Sequence, residues 1–235
     1  MDRINISVVV PCYNEEECIK NNLIQINDFL KTNPKIKKYE IICVDDGSSD
    51  STREIINKLK LKIKSIKITR KRKNKGKGFS VKQGILLAKF PYILFTDADL
   101  ATPLSELNKF FRYLNYDIVI GSRNLEKSRV ERSAIRKLAG KIYAKIVRLI
   151  LGLNCKDTQC GFKLFKIDVA KELVIKQKIN GFAFDAELLF LAKKKNYKII
   201  EIPVKWKEAQ KTSISLLKHS FLMLRDITRI RLNYL

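Results

Sequence analysis

Short apolar runs alternate with amphipathic segments through the first half of the chain. Residues 6–10, apart from Ser7, and residues 41–44 form short apolar runs rich in β-branched side chains, which is typical of strands that are buried on both faces. Between them, residues 16–30 carry their apolar side chains at helical spacing. A strand, a helix and a strand in this order predict a βαβ unit with parallel strands.

The alternation continues as far as Ile120. It predicts helices over residues 51–59, 78–88 and 104–114 and strands over residues 63–69, 92–96 and 118–120. We therefore expect an α/β fold in which helices flank a mostly parallel central sheet. Sheets of this kind bind ligands at the carboxyl ends of their strands.

The second half of the chain is less regular. It predicts helices over residues 135–151 and 184–194, a strand over 199–204 and a terminal helix over 213–235. The helices over 135–151 and 213–235 are amphipathic and basic, which suits docking at a membrane interface. The alternative is that both pack into the core or into a dimer interface. We expect one domain over residues 1–212, followed by a C-terminal amphipathic helix at a membrane surface.

The net charge of the chain limits the classes of partner that it is expected to bind. With 48 basic and 24 acidic side chains, the net charge is +24, which suits nucleic acid, an anionic membrane surface or phosphorylated substrates. A compositional bias toward lysine, as in residues 58–73, is an equally good explanation for most of this charge. Nucleic acid is not an expected partner, because we find no basic stripe with interleaved exposed aromatic residues.

Cysteine usage and run lengths exclude several classes of protein. Five irregularly spaced cysteines and one histidine, His219, cannot assemble a Cys/His zinc framework, and we expect reduced thiols in the cytosol. The first apolar run is too short for a signal peptide. No run reaches the about 20 apolar residues of a membrane span, so contact with a bilayer is expected only at its surface.

Polar residues follow two of the predicted strands. Residues 45–50 (DDGSSD) hold more turn formers than one turn and one helix cap require, which favours a ligand loop. Asp97 and Asp99 follow another strand, and such a pair can share a divalent cation with substrate phosphates. Residues 74–78 (NKGKG) open a helix and suit an anion; a basic surface turn is the alternative.

In this order, the segments resemble family 2 glycosyltransferases with a GT-A fold, the fold of nucleotide-diphospho-sugar transferases. The resemblance covers nearly the whole chain and rests on residues 10–16 (VPCYNEE), 44–48 (VDDGS), 74–78, 97–99 (DAD) and 121–123 (GSR).

Two later segments narrow the branch. Residues 157–165 (DTQCGFKLF) and 182–188 (FAFDAEL) are similar to dolichyl-phosphate β-glucosyltransferases and related polyprenyl-phosphate glycosyltransferases. Ala101 stands where the related mannose synthases commonly have a glutamine metal ligand, which favours glucose over mannose. A nucleotidyltransferase is a rival, but the Gly-rich N-terminal loop typical of that class is absent.

The resemblance implies an inverting hexosyltransferase. Its expected substrates are UDP-glucose and dolichyl or polyprenyl phosphate at the cytoplasmic face of a membrane, with GDP-mannose or a non-lipid acceptor as alternatives. The implied site comprises Pro11, Tyr13, Glu15 and Asp46 at the nucleoside, Lys77 near the donor, Asp97 and Asp99 on Mg²⁺ or Mn²⁺ and the diphosphate, Arg123 and Arg132 on phosphates, and Asp157 and Asp185 near the reacting sugar.

Overall fold

The computed structural model describes residues 3–131, 133–208 and 216–234. The strands in these ranges are β1 (Ile4–Cys12), β2 (Ile36–Asp45), β3 (Ile66–Arg70), β4 (Tyr92–Thr96), β5 (Ile118–Ser122), β6 (Arg129–Glu131), β7 (Phe162–Lys166), β8 (Ile199–Pro203) and β9 (Lys205–Lys207). The α-helices are α1 (Ile19–Thr32), α2 (Thr52–Lys62), α3 (Lys77–Leu87), α4 (Leu107–Phe110), α5 (Ala134–Leu151), α6 (Ile167–Lys176), α7 (Phe184–Lys194) and α8 (Leu216–Asn233).

Seven strands form one sheet in the order β3-β2-β1-β4-β7-β5-β8. β1 is parallel to β2 and β4, β2 is parallel to β3, and β5 is parallel to β8. β7 runs antiparallel between β4 and β5, while β6 and β9 form a separate parallel ribbon. The predicted α/β fold with a mostly parallel sheet is therefore confirmed, and the loops after β1, β2 and β4 leave the sheet at one edge.

Helices cover both faces of the sheet. On β1, Val8 and Val10 belong to the core under α1, α2 and α4, whereas Val9 belongs to the core under α3, α5, α6, α7 and α8. Strand side chains alternate between faces with a period of two, so both sets must be apolar when both faces are covered. This explains why β1 and β2 carry apolar side chains at consecutive positions.

Two predicted elements differ from the structure. The helix predicted over 104–114 is the short α4 between two turns of 3₁₀-helix, Leu104–Glu106 and Phe111–Tyr113. Leu104, Leu107, Phe110 and Phe111 are buried, a spacing that suits an α-helix as well as 3₁₀ turns, so the pattern did not distinguish the two. β3 begins later than predicted because the Ile63 N–H still bonds to the Leu59 carbonyl at the end of α2.

The sequence pattern does not predict β7 and α6. β7 reads FKLFK, which alternates like a surface strand, yet Lys163 within it is fully buried. α6 follows β7 directly, with Lys166 as its N-cap. Because no turn former separates the two elements, neither boundary is visible in the sequence.

The two amphipathic helices are present. The helix predicted over 213–235 is observed as α8, while residues 213–215 and 235 and the predicted domain boundary after residue 212 lie outside the described residues. Ile227 and Ile230 of α8 are buried in the core that also holds Val147 of α5. The inner faces of both helices therefore pack into the core, as the alternative held.

The outer face of α5 carries exposed apolar side chains among its basic ones. Leu138, Ile142 and Leu149 are 62%, 53% and 74% exposed. In the part of the chain that the structure describes, no helix is both long enough and apolar enough to cross a membrane.

Candidate active site

The loops after β1 and β2 are fastened to each other. The Asn14 N–H donates to Ser48 Oγ (3.0 Å), and the Ser49 N–H donates back to Asn14 Oδ1 (2.9 Å). The Glu15 N–H donates to Thr52 Oγ1 (2.7 Å). Asn14 has a left-handed φ of 55°, which asparagine tolerates better than most residues. These bonds join the predicted acidic ligand loop and the loop after β1 into one wall at the carboxyl edge of the sheet.

Pro11 and Tyr13 lie at the rim of this wall. Pro11 is opposite Val44 near the ends of β1 and β2, and Tyr13 follows β1 directly with 45% of its surface exposed. Both therefore stand at the predicted carboxyl edge of the sheet.

Asp46 holds the loop of residues 74–78 in place. Its carboxylate accepts the N–H groups of Lys75 (3.0 Å) and Gly76 (2.8 Å). Burial raises the pKa of Asp46, and these two N–H groups oppose that shift. Gly76 has a φ of 106°, and a Cβ there would lie 2.4 Å from the Asn180 carbonyl oxygen. Asp46 thus holds the loop that places Lys77 at the first turn of α3.

Asp97 and Asp99 lie together at the end of β4. Asp97 Oδ1 is 2.7 Å from Lys77 Nζ, and Asp99 Oδ1 accepts the Ala101 N–H (3.0 Å). Burial raises the pKa of Asp99 above its usual range, and the negative charge of Asp97 adds to the shift. A Cβ at Gly161 would lie 2.0 Å from Asp97 Oδ2, so glycine at that position makes room for the carboxylate.

Two further groups complete this charged cluster. Burial raises the pKa of Glu15, and Asp99 and Asp97 raise it further. Burial alone would lower the pKa of Lys77, but Asp97 and Asp185 outweigh it and raise the pKa. Lys77 is therefore held as an ammonium ion among carboxylates.

Arg123 and Asp157 form an ion pair next to the cluster. Arg123 donates from Nε (2.7 Å) and Nη2 (2.9 Å) to the two carboxylate oxygens, and its backbone N–H donates as well (2.9 Å). Although burial opposes it, Arg123 holds the pKa of Asp157 below its usual range. Glu201 accepts the N–H groups of Lys156 and Asp157, and the Trp206 ring centre lies 5.4 Å from the guanidinium carbon.

Asp185 lies beneath the cluster and is 2% exposed. It accepts a hydrogen bond from Lys163 of β7, which is itself fully buried. Glu187, two residues further along α7, accepts the N–H groups of Lys178 (2.9 Å) and Ile179 (2.8 Å). The two acidic residues of α7 therefore hold different groups.

Comparison with known proteins decides the family. The model of Glycosyl transferase family 2 matches residues 7–174. The chain belongs to glycosyl transferase family 2. A dolichyl-phosphate beta-glucosyltransferase of Dictyostelium discoideum is 36% identical over 100% of this chain and 76% of its own length. Those of Saccharomyces cerevisiae and Homo sapiens are both 34% identical, over 100% and 98% of this chain and 76% of their own lengths.

Solved structures share the fold of this glycosyltransferase. Glucosyl-3-phosphoglycerate synthase from Mycobacterium tuberculosis, solved with Mn²⁺, UDP-glucose and phosphoglyceric acid, has a TM-score of 0.68 at 15% identity and covers 98% of this chain and 79% of its own. A mannosyltransferase from Pyrobaculum calidifontis, solved with GDP-Man and Mn²⁺, has a TM-score of 0.60 at 20% identity and covers 95% and 61%. The predicted GT-A fold is confirmed.

The carboxylates of this glycosyltransferase fit a divalent cation. Burial raises the pKa of Asp99 and of Glu15, and the charges of neighbouring carboxylates add to both shifts; a bound cation would oppose both effects. No group of three or more metal-binding side chains occurs among the described residues, so Asp97 and Asp99 would share the cation with substrate phosphates. Hard oxygen ligands of this kind suit Mg²⁺ or Mn²⁺.

The structure thus brings most predicted site residues of the glycosyltransferase together. The charged cluster consists of Glu15, Lys77, Asp97 and Asp99, with Asp185 beneath it, Arg123 and Asp157 beside it, and Pro11, Tyr13 and Asp46 along the first wall. Arg132 lies outside the described residues.

Sequence reasoning missed Lys163, Glu187 and Trp206 as site-forming residues. Lys163 stands inside a quoted motif, where a lysine between Phe162 and Leu164 in a largely apolar segment was the available signal. Nothing in the sequence shows that Trp206 meets Arg123.

Proposed function

We propose that this glycosyltransferase moves glucose from UDP-glucose onto a dolichyl or other polyprenyl phosphate, with inversion at the anomeric carbon. The cluster of Lys77, Asp97 and Asp99 at the carboxyl edge of the sheet carries the proposal. The names of the full-length relatives support the acceptor and the glucosyl group, and Ala101 after the two aspartates supports glucose over mannose.

The cluster is suited to a leaving diphosphate. Asp97 and Asp99 would hold Mg²⁺ or Mn²⁺, which neutralises the negative charge that develops on the diphosphate. Lys77 remains protonated at neutral pH because its pKa is raised, so its ammonium supplies a further positive charge at that position. Fixed charges of this kind stabilise a transition state without reorganisation.

The acceptor phosphate needs little help from a general base. By analogy with phosphoamino acids its second pKa is about 6, so it is largely a dianion at neutral pH. Asp157 and Asp185 are each 2% exposed and already paired with Arg123 and Lys163. We therefore assign these carboxylates to holding cations in place. Arg123 has guanidinium N–H groups that do not bond to Asp157. These groups suit the acceptor phosphate.

We also propose that α5 docks on an anionic membrane surface. Lys141, Lys145, Arg148 and Lys156 line a groove next to Asn124 that includes no acidic residue among its described lining. The exposed apolar side chains of α5 lie on the same helix. Apolar side chains that enter the interface and basic side chains near anionic lipid, each worth about 1 kcal/mol, act together. Docking there would bring the acceptor's phosphate toward Arg123, which is next to Asn124 of the groove in the chain.

The deciding experiment measures transfer of labelled sugar to polyprenyl phosphate in vesicles. UDP-glucose and GDP-mannose are offered in parallel, each with Mg²⁺, Mn²⁺ or EDTA. We expect transfer from UDP-glucose that EDTA abolishes. Transfer from GDP-mannose alone would contradict the donor, and no transfer from either with an intact acceptor would contradict the acceptor.

A further inference from the structure

A fully buried ion pair lies below the charged cluster. Lys163 is 0% exposed, and its Nζ donates to the Asp185 carboxylate and, at 2.6 Å, to the Cys160 carbonyl. Asp185 is 2% exposed. Such a pair is weak evidence for stability, because apolar residues of similar volume are often as stable in its place. In the proposed reaction, Lys77 and Asp97 act at the donor diphosphate, whereas Lys163 contacts no substrate.

Further charged side chains lie between this pair and the carboxyl edge of the sheet. Asp185 and Asp97 both act on Lys77, whose Nζ is 2.7 Å from Asp97 Oδ1. Lys77 and Lys163 lie near the same ring, with Nζ at 5.5 and 5.8 Å from the Phe95 centroid. The charge therefore alternates in sign from the buried end of this series to the carboxyl edge of the sheet. The order of the side chains is Lys163, Asp185, Lys77 and Asp97.

The backbone connects Lys163 to the same carboxylate. Its partner Cys160 precedes Gly161, whose carbonyl accepts the Asp97 N–H (3.2 Å). Lys163 thus meets the Asp97 region both through charges and through the turn before β7.

We propose that Lys163 is a positioning residue for donor binding. Burial raises the pKa of Asp185, and Lys163 and Lys77 oppose that shift, because a buried carboxylate stays ionised only beside a cationic partner. By neutralising Asp185, Lys163 leaves the Lys77 ammonium at Asp97 and at the donor diphosphate. Without Lys163, the Lys77 ammonium moves away from Asp97 and toward Asp185. The donor diphosphate then loses its contact with Lys77. This inference rests on the proposed function, which gives Lys77 the donor diphosphate as its ligand.

The test measures binding of UDP in the presence of Mn²⁺ by calorimetry with the full chain. Lys163→Met removes the charge and keeps an unbranched apolar chain. We expect its Kd for UDP to rise at least about tenfold, as for the loss of one charge-assisted hydrogen bond. An unchanged Kd would overturn the proposal. No acceptor is present, so the result is independent of the transfer reaction; if GDP binds and UDP does not, the comparison is made with GDP and only the proposed donor is wrong.

Removing both charges separates positioning from packing. In Lys163→Met/Asp185→Asn, no buried carboxylate is left to recruit Lys77, so we expect the Kd for UDP to return to within about threefold of the wild type. A residue that only fills space would not be rescued by Asp185→Asn. A double variant that binds as weakly as Lys163→Met would therefore overturn the proposal.

Two controls guard the comparison. Lys67→Met breaks the ion pair with the buried Glu40 on β2, away from the cluster, and should leave the Kd for UDP unchanged; an equal loss there would overturn the assignment to Lys163. If thermal unfolding shows that Lys163→Met does not fold, Asp185→Asn is compared with the double variant. Because Lys163 acts only through charged Asp185, their Kd values should agree within about threefold, and a further tenfold loss would overturn the proposal.

Discussion

At the scale of residues, the fold divides the acidic side chains of the site into two groups. Asp46 and Asp157 are saturated by N–H groups and a guanidinium, so they hold loops and cations in place. In Asp99 and Glu15, burial raises the pKa and the charges of neighbouring carboxylates, Asp97 among them, raise it further. The second group is therefore where a divalent cation is expected.

Asp99→Ala tests the cation site directly. Because metal stabilisation of a leaving group is worth several kcal/mol, we expect kcat/KM for UDP-glucose to fall at least about 100-fold. Initial rates over a range of Mg²⁺ and Mn²⁺ concentrations measure this. Asp28→Ala, at an exposed position on α1, is the control and should keep normal rates. Normal metal-dependent turnover in Asp99→Ala would refute the metal assignment.

Gly161→Ala tests the close contact with Asp97. The new Cβ would lie 2.0 Å from Asp97 Oδ2, so the carboxylate must move. We expect at least about a tenfold loss of kcat, as displacement of a positioned group by about 1 Å can cost more than this. Gly181→Ala is the matched control, since its Cβ meets only Asp226 Oδ2 at 3.6 Å. Equal rates in the two variants would contradict the assigned geometry.

We expect the Arg123–Asp157 ion pair to make the folded protein less stable in acid. The pKa of Asp157 in the folded state lies below the usual value, so the unfolded chain takes up the proton first as the pH falls. The stabilisation is present above the unfolded pKa of about 4 and is lost as the pH falls toward the folded pKa. Urea unfolding from pH 7 to pH 3 should show this slope, and Asp157→Asn should flatten it. An identical slope in the variant would contradict the Arg123–Asp157 pair as its source.

At the scale of elements, the helices of the second half join the site to the surface of the molecule. α7 begins with Asp185 under the cluster, and its Glu187 holds the N–H groups of Lys178 and Ile179. α8 is buried at Ile227 and Ile230 and packs against α5 and α7. The exposed face of α5 is thus fixed relative to the charged cluster.

The docking of α5 is tested by Leu138→Ser/Ile142→Ser/Leu149→Ser. Burial of one such side chain contributes about 1.5–3 kcal/mol, so losing three should weaken binding to anionic vesicles by more than about tenfold. The residues are exposed, so folding should be unaffected. Co-sedimentation measures binding, and Leu61→Ser/Ile175→Ser, at exposed apolar positions on α2 and α6, is the control. Equal binding of the two variants would refute docking through α5.

At the scale of the whole molecule, the charge of +24 is not spread over the reaction centre. The centre holds carboxylates with a few enclosed cations, Lys77, Arg123 and Lys163. Many other lysines lie exposed on helix ends and loops, where the charge favours approach to anionic surfaces and phosphorylated substrates.

The sequence by itself determined the buried strands β1, β2 and β4 and the polar loops that follow them. These depend on local hydrophobic period and on turn chemistry, both of which are written in neighbouring residues. The positions of Asp46, Asp97 and Asp99 at one edge followed from parallel pairing alone.

Only the tertiary structure decided which charges meet. Arg123 pairs with Asp157, 34 residues away, and Lys163 with Asp185, 22 residues away, because β7 enters the sheet antiparallel between β4 and β5. No local pattern encodes such a partner, since the free energy of an ion pair depends on burial and geometry that exist only after packing. For the same reason, the sequence could name Asp185 as a site residue but could not distinguish it from the outward-facing Asp97.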